Sequence, residues 1–224
     1  MIKAVVFDLD DTLISEKQYI RSGFKVISNK LSEEYKLDSE KIFNKMLELF
    51  NESSKEVFNR LLDYFSIKYD QDYILNLINI YRCHSPEIEF YEDVIPTITE
   101  LRNKGYKLGI ITDGYKETQL RKIEVLKCRE LFDEIIITDE LGREFWKPHE
   151  KSYKLMAEKL DVKLEDMIYV GDNVEKDFVT ANILGLKTIK VCRENMIYRN
   201  NTIDDRFLSQ IEVNSISKVI ENVG

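Results

Sequence analysis

The chain has 224 residues, with 33 Lys plus Arg against 41 Asp plus Glu, a formal net charge of −8, and 43% apolar residues. That composition suits a soluble globular chain of one or two domains with a sizeable core; only 8 Gly and 3 Pro argue against a disordered or fibrous one. The acid excess argues against general binding to nucleic acid or to an anionic membrane, either of which needs a basic face.

In the first run, Ile2–Phe7, the apolar stretch Ala4–Phe7 is far shorter than the core of a secretory leader, and acids follow at once. No run approaches the roughly 18 residues of a membrane span. A cytoplasmic location is therefore expected. The same run is apolar on both faces, as are Lys107–Ile111, Glu134–Thr138, Met167–Val170 and Lys187–Val191. Such runs predict strands of a parallel sheet covered on both sides. Helices are predicted between the later runs: Val94–Lys104, Tyr115–Lys127, His149–Leu160 and Asp177–Leu184, the first and last stopped by Gly105 and Gly185. Alternating strand and helix predicts an α/β fold.

Residues 15–86 differ. They hold one glycine, no good strand run, and helical periodicity such as Ile42, Phe43, Met46, Leu47 and Phe50. They predict a small all-helical domain inserted after strand one, leaving 1–14 plus 87–224 as the α/β core. The insert is neutral, with 11 basic and 11 acidic residues, against 22 and 30 in the remainder. Its Phe43, Phe50, Phe58, Tyr64 and Phe65 read as packing residues. Cys83, Cys128 and Cys192 are widely spaced, with no Cys-x-x-Cys pair, and read as reduced, mostly buried thiols.

Four segments carry candidate chemistry. Strand one runs into Asp8-Leu9-Asp10-Asp11-Thr12; Asp8 and Asp10 share a face if the chain stays extended, and a solvated acidic loop is the competing reading. Strand two runs into Thr112-Asp113-Gly114, where a hydroxyl and free amides before a helix suit an anion, as many plain turns also do. Lys147-Pro148 precedes the third predicted helix, with Pro148 at its first turn. Strand four runs into Gly171-Asp172-Asn173-Val174-Glu175-Lys176-Asp177, whose last acid is also a plausible helix cap. Three of the four sit at the carboxyl ends of strands, where open α/β sheets bind ligands. Carboxylates without His or Cys suit a hard cation, Mg²⁺ by preference. A hydroxyl, amides and a lysine suit a phosphate.

DLDDT, TDG, KP and GDNVEKD, in that order, resemble the four motifs of the haloacid dehalogenase superfamily, and the insert resembles that family's helical C1 cap, which closes over the site and sets specificity. The resemblance spans the whole chain. It implies a Rossmann-like parallel sheet of strand order 5-4-1-2-3 and a Mg²⁺-dependent phosphomonoester hydrolase working through an aspartyl-phosphate. Asp8 resembles the nucleophile and Asp10 the general acid/base, its backbone carbonyl also on the metal. Thr112 with the amides of Asp113 and Gly114 would hold the phosphoryl oxygens, and Lys147 would stabilise them. Asp172 resembles the direct metal ligand; Asp177 would act on the metal through water or steady Lys147. Thr12 would bond within its loop and help orient Asp8, the competing reading being a loop hydroxyl that satisfies the backbone. The acid at Asp10 separates the chain from the dehalogenase branch, which lacks it.

The implied substrate is a small phosphorylated metabolite such as a sugar phosphate, a nucleotide or phosphoglycolate. Glu16, Lys17, Tyr19, Arg21 and Trp146 are candidates to line its pocket, the competing readings being a solvated or packing role for the first four and packing for Trp146. A hexose-phosphate mutase and a catalytically idle binding protein are the alternatives, and either a monomer or a homodimer fits. One departure is noted: many C1 members carry Pro-Gly where this chain has Tyr91-Glu92-Asp93-Val94.

Overall fold

The computed structural model describes residues 1–194 and 204–223. It divides into two compact units, 1–17 with 88–224, and 18–87.

The first unit is built on a six-stranded, wholly parallel sheet. Its strands are β1 (Ala4–Phe7), β2 (Lys107–Thr112), β3 (Glu134–Ile137), β4 (Met167–Gly171), β5 (Lys187–Val191) and β6 (Ile211–Val213). The order β3-β2-β1-β4-β5-β6 contains the expected five-strand order and extends it at one edge. β6, paired with β5 through Ile189↔Ile211 to Val191↔Val213, was not foreseen; three residues are too few for a periodic signal.

Side chains alternate between two cores, as the two-residue period demands. Val5, Phe7, Leu108, Ile110, Ile168 and Val170 face one core. There they meet Val94, Ile98 and Leu101 of α5 (Val94–Asn103), Ile123 of α6 (Lys116–Val125), and Ile216 and Val219 of a 3₁₀ helix, Ile216–Asn222. Ala4, Val6, Ile111, Met167 and Tyr169 face the other, against Tyr153, Met156 and Ala157 of α8 (Lys151–Lys159) and Ala181 of α9 (Val179–Ile183). A short helix, α7 (Cys128–Leu131), lies between α6 and β3. Gly105 and Gly185 follow α5 and α9 at φ 85° and 82°, the left-handed stop expected of them. Pro148 does not open α8, which starts three residues later; it follows a cis peptide bond in the approach to that helix.

The second unit is helical: most of α1 (Glu16–Tyr35), then α2 (Ser39–Glu52), α3 (Val57–Tyr64) and α4 (Gln71–Cys83). Asp38 and Asp70 cap α2 and α4, accepting from the amides of Lys41 and Tyr73. Phe24 packs edge-on against Phe50 and Phe58, while Tyr64 is exposed. Cys128 is buried, Cys83 half-buried and Cys192 exposed, so the expectation of mostly buried thiols is met in full only at Cys128 and fails at Cys192. No described helix is long and apolar enough to cross a membrane.

Candidate active site

Register brings the site together. Phe7 pairs with Ile110 on one side and Val170 on the other. The next residues, Asp8, Ile111 and Gly171, therefore emerge side by side, and Asp8 N–H still bonds the Val170 carbonyl at 2.8 Å. Strand order reverses at β1, so this is also where a doubly wound sheet opens its ligand crevice. Asp8, Asp10, Asp11, Glu16, Asp113, Gly114, Trp146, Lys147, Asp172, Asn173, Lys176 and Asp177 line one cavity of about 150 Å³ there.

Lys147 is the hub. Its ammonium donates to Asp8 Oδ1 at 2.6 Å, Asp177 Oδ1 at 2.8 Å and the Tyr169 hydroxyl at 2.9 Å. All three ammonium protons are thereby used. Burial works to strip its charge, but Asp177 and Asp8 overcompensate and hold the ammonium well above the usual lysine range. Burial pushes the Asp8 carboxyl up to about 7, with Lys147 opposing and Asp177 adding to the shift.

Asp177 is fully engaged. Its Oδ1 accepts from Lys147 and Tyr169, and its Oδ2 from the backbone N–H groups of Asp172 and Asn173. It caps the loop before it, not the helix after it, and α9 carries no side-chain cap. Gly171 has to be glycine, because a Cβ there would collide with the Asp177 carboxylate.

Asp172 is the opposite case. It is buried, yet its carboxylate accepts no hydrogen bond among the described residues. Burial, then the charges of Asp177 and Asp8, hold it well above the usual carboxylate range. Oxygens of Asp8, Asp172 and Asp177 lie within 4.8 Å of one another. An unpartnered buried carboxylate beside two others, with no nitrogen or sulfur donor, fits a hard divalent cation. The Asp10 carboxylate is not part of that trio. Lys122 Nζ holds it at 2.6 and 2.8 Å, and Gln119 Nε2 at 3.0 Å.

Thr112 is buried at the end of β2. The Gln119 nitrogen must be a donor, because it also faces a carboxylate, so the Thr112 hydroxyl accepts from it and keeps its own proton to give. The backbone N–H groups of Asp113 and Gly114 have no acceptor among the described residues. The Asp113 side chain turns elsewhere, accepting from the Thr138 hydroxyl at 2.6 Å and the Lys147 amide at 3.1 Å, and so ties the lysine's backbone to β2.

Thr12 departs from expectation: its buried hydroxyl has no partner among the described residues, while its carbonyl accepts from Arg193. Glu16 does reach the cavity, its carboxyl pushed up to about 7 by burial and the charge of Asp10. The Tyr19 hydroxyl bonds the Tyr81 and Arg82 carbonyls within the helical unit. Arg21 lies over the Phe43 ring and Lys17 is exposed. Trp146 lines the cavity and donates to Asp139.

Tyr169, Gln119, Lys122 and Lys176 were missed. Two of them left a trace in the sequence: 119, 122, 123 and 126 form one helical stripe, so Gln119 and Lys122 stand on the apolar face of Ile123 and Leu126.

The family model for haloacid dehalogenase-like hydrolases matches residues 5–191. A glyceraldehyde 3-phosphate phosphatase of Methanocaldococcus jannaschii is 30% identical over 230 aligned positions, covering 100% of this chain and 97% of that one. The pyrophosphatase PpaX of Bacillus mycoides is 31% identical over 196, covering 85% and 83%. Among solved structures, the crystal structure of a HAD phosphatase from Thermococcus onnurineus aligns with a TM-score of 0.65 at 23% identity, covering 100% of this chain and 98% of that one.

Proposed function

The chain belongs to the haloacid dehalogenase-like hydrolase family and is a phosphatase of that family, and we propose that it is a Mg²⁺-dependent phosphomonoesterase acting on a small phosphorylated metabolite through an aspartyl-phosphate on Asp8. The observation that carries this reading is Lys147, buried between Asp8 and Asp177 beside the unpartnered Asp172.

In this reading a carboxylate oxygen of Asp8 bonds to phosphorus as the bond to the leaving oxygen breaks. Asp10, entering the step as the carboxylic acid, gives its proton to that oxygen and is left as the carboxylate. Asp10 then takes a proton from a water whose oxygen displaces the phosphoryl group from Asp8. Thr112, with its free hydroxyl proton, and the Asp113 and Gly114 amides hold the phosphoryl oxygens, and Lys147 offsets their charge. Asp8 and Asp172, with Asp177 behind them, would hold Mg²⁺, which when bound supplies positive charge between an anionic nucleophile and an anionic substrate. Residues 18–87, interrupting the α/β unit after β1, take the place of the family's C1 cap.

The test is phosphate release from a panel of sugar phosphates, nucleotides and phosphoglycolate, together with glyceraldehyde 3-phosphate, pyrophosphate and p-nitrophenyl phosphate, with Mg²⁺ and with chelator. Turnover that needs Mg²⁺ and vanishes in Asp8→Asn is expected. No release from any ester, or release unaffected by D8N, overturns the reading, and an isomerised sugar phosphate in place of free phosphate assigns a mutase instead.

A further inference from the structure

Two lysines reach the cavity's carboxylates from buried positions, and the reading above uses only one. Lys122 is 2% exposed and Gln119 1%. Both stand on α6, three residues apart and so on one face. A buried ammonium needs a counter-charge, and Lys122 has both oxygens of Asp10, at 2.6 and 2.8 Å. Gln119 adds a second donor to Asp10 Oδ2 and through the same nitrogen reaches Thr112 Oγ1.

From this geometry we infer that Lys122, assisted by Gln119, is a positioning residue for Asp10, fixing the direction in which that carboxyl meets the leaving oxygen. The inference rests on the phosphatase reading and on Asp10 as its acid/base. An aspartate side chain on a loop has staggered alternatives about χ1 and a broad χ2. A two-oxygen contact with an ammonium, plus an amide on one of the same oxygens, leaves Asp10 one of them. The Gln119 nitrogen also couples Asp10 to Thr112, so the group that moves the proton and the hydroxyl that faces the phosphoryl oxygens are referred to one helix. A plain fold-stabilising ion pair would have no reason to end on this acid, nor to share its amide with Thr112.

The two roles separate by leaving group. A p-nitrophenolate departs without a proton, whereas an alkoxide does not, so misdirecting Asp10 damages phosphoryl transfer from an alkyl ester more than from an aryl ester. The readout is the ratio of kcat/KM for p-nitrophenyl phosphate to that for glycerol phosphate; a ratio is blind to the fraction of protein that is active. Lys122→Met is expected to raise it by about tenfold or more, the order of effect a misplaced reacting group produces. Asp10→Asn should raise it at least as far. The double variant should be no worse than D10N alone, because Lys122 acts through Asp10. Lys122→Arg, which keeps the charge, should recover part of the loss.

Gln119→Leu leaves the ion pair in place and should move the ratio the same way by less, which keeps the test open if K122M does not fold. An unchanged ratio in every variant of Lys122 and Gln119 that folds, or losses from K122M and D10N that multiply, overturns the inference while leaving the phosphatase reading intact. Wild-type protein that turns over neither these two esters nor any other ester of the panel above overturns both.

Discussion

Tyr169 shows how much one hydroxyl can carry. It lies in the middle of β4, where the run Met167–Val170 reads as core, and its ring does pack there, edge-on to Tyr153. A buried tyrosine needs a partner for its hydroxyl, and here the partners are Lys147 at 2.9 Å and Asp177 at 3.2 Å. Tyr169→Phe keeps the packing and leaves Lys147 still paired with Asp177 at 2.8 Å. The expected stability loss is that of an ordinary hydrogen bond, about 1 kcal/mol. With one of its three anchors gone, Lys147 loses direction, and kcat/KM should fall by roughly tenfold. Asp177→Asn is the harsher change, because it breaks a buried ion pair with only Asp8 left to compensate. Its expected cost is about 3 kcal/mol. Urea unfolding of the metal-free proteins measures the difference; equal losses in the two variants would mean that the hydroxyl, not the ion pair, holds the lysine.

Asp93 ties several elements together at a position where the sequence only signalled a departure from the family pattern. Standing just before α5, it accepts through one oxygen from Arg193 at 2.8 Å, the Ser215 hydroxyl at 2.6 Å and the Ile216 amide at 3.0 Å. Arg193 also bonds the Thr12 carbonyl and covers the Tyr91 ring at 4.1 Å. The loop after β1, the start of α5, the end of β5 and the 3₁₀ helix Ile216–Asn222 thus share one charge pair. Burial works against the Asp93 charge, but Arg193 and Ser215 prevail and hold the carboxyl below its ordinary 3.8. A depressed folded-state value means the contribution is whole above 3.8 and is lost as pH falls through the folded value. Asp93→Asn should therefore unfold at lower urea than wild type at neutral pH, with the gap closing below pH 3.8. A gap that persists in acid would assign the loss to packing. Neither Arg193 nor Ser215 was legible as part of this device, because each partner is about a hundred residues or more from Asp93 and follows no period. What could be read was local: strand runs apolar on both faces, the glycine stops at 105 and 185, and acids placed directly after strands. Gln119, Lys122 and Tyr169 were harder because each looks like a misplaced or ordinary core residue until the fold supplies the carboxylate opposite it.

Charge is the property that belongs to the molecule as a whole. The segment 15–86 is balanced, so the formal −8 falls on the rest of the chain. There, Asp8, Asp10, Asp11, Asp113, Asp172 and Asp177, joined by Glu16 from the start of the balanced segment, line one cavity against Lys147 and Lys176. Lys122 answers Asp10 and Lys147 answers Asp8 and Asp177, which leaves Asp172 as the buried acid with no hydrogen-bonding partner among the described residues. An uncompensated buried carboxylate destabilises the fold that holds it, by at least about 1–3 kcal/mol. Such a group persists where a ligand repays it, and the donor set here points to a divalent cation. The two effects oppose each other in Asp172→Asn. Without metal the variant should be more stable than wild type, with a melting temperature higher by roughly 2–4 °C for each kcal/mol recovered. With Mg²⁺ the order should reverse. Wild type gains in proportion to the logarithm of metal concentration over its dissociation constant, about 2.7 kcal/mol at a hundredfold excess, while the variant gains little and loses turnover. Thermal melts of both proteins in chelator and across a Mg²⁺ titration measure this directly. A variant less stable than wild type in chelator would show that Asp172 is already compensated by the protein, and equal Mg²⁺ shifts in both would move the metal away from it.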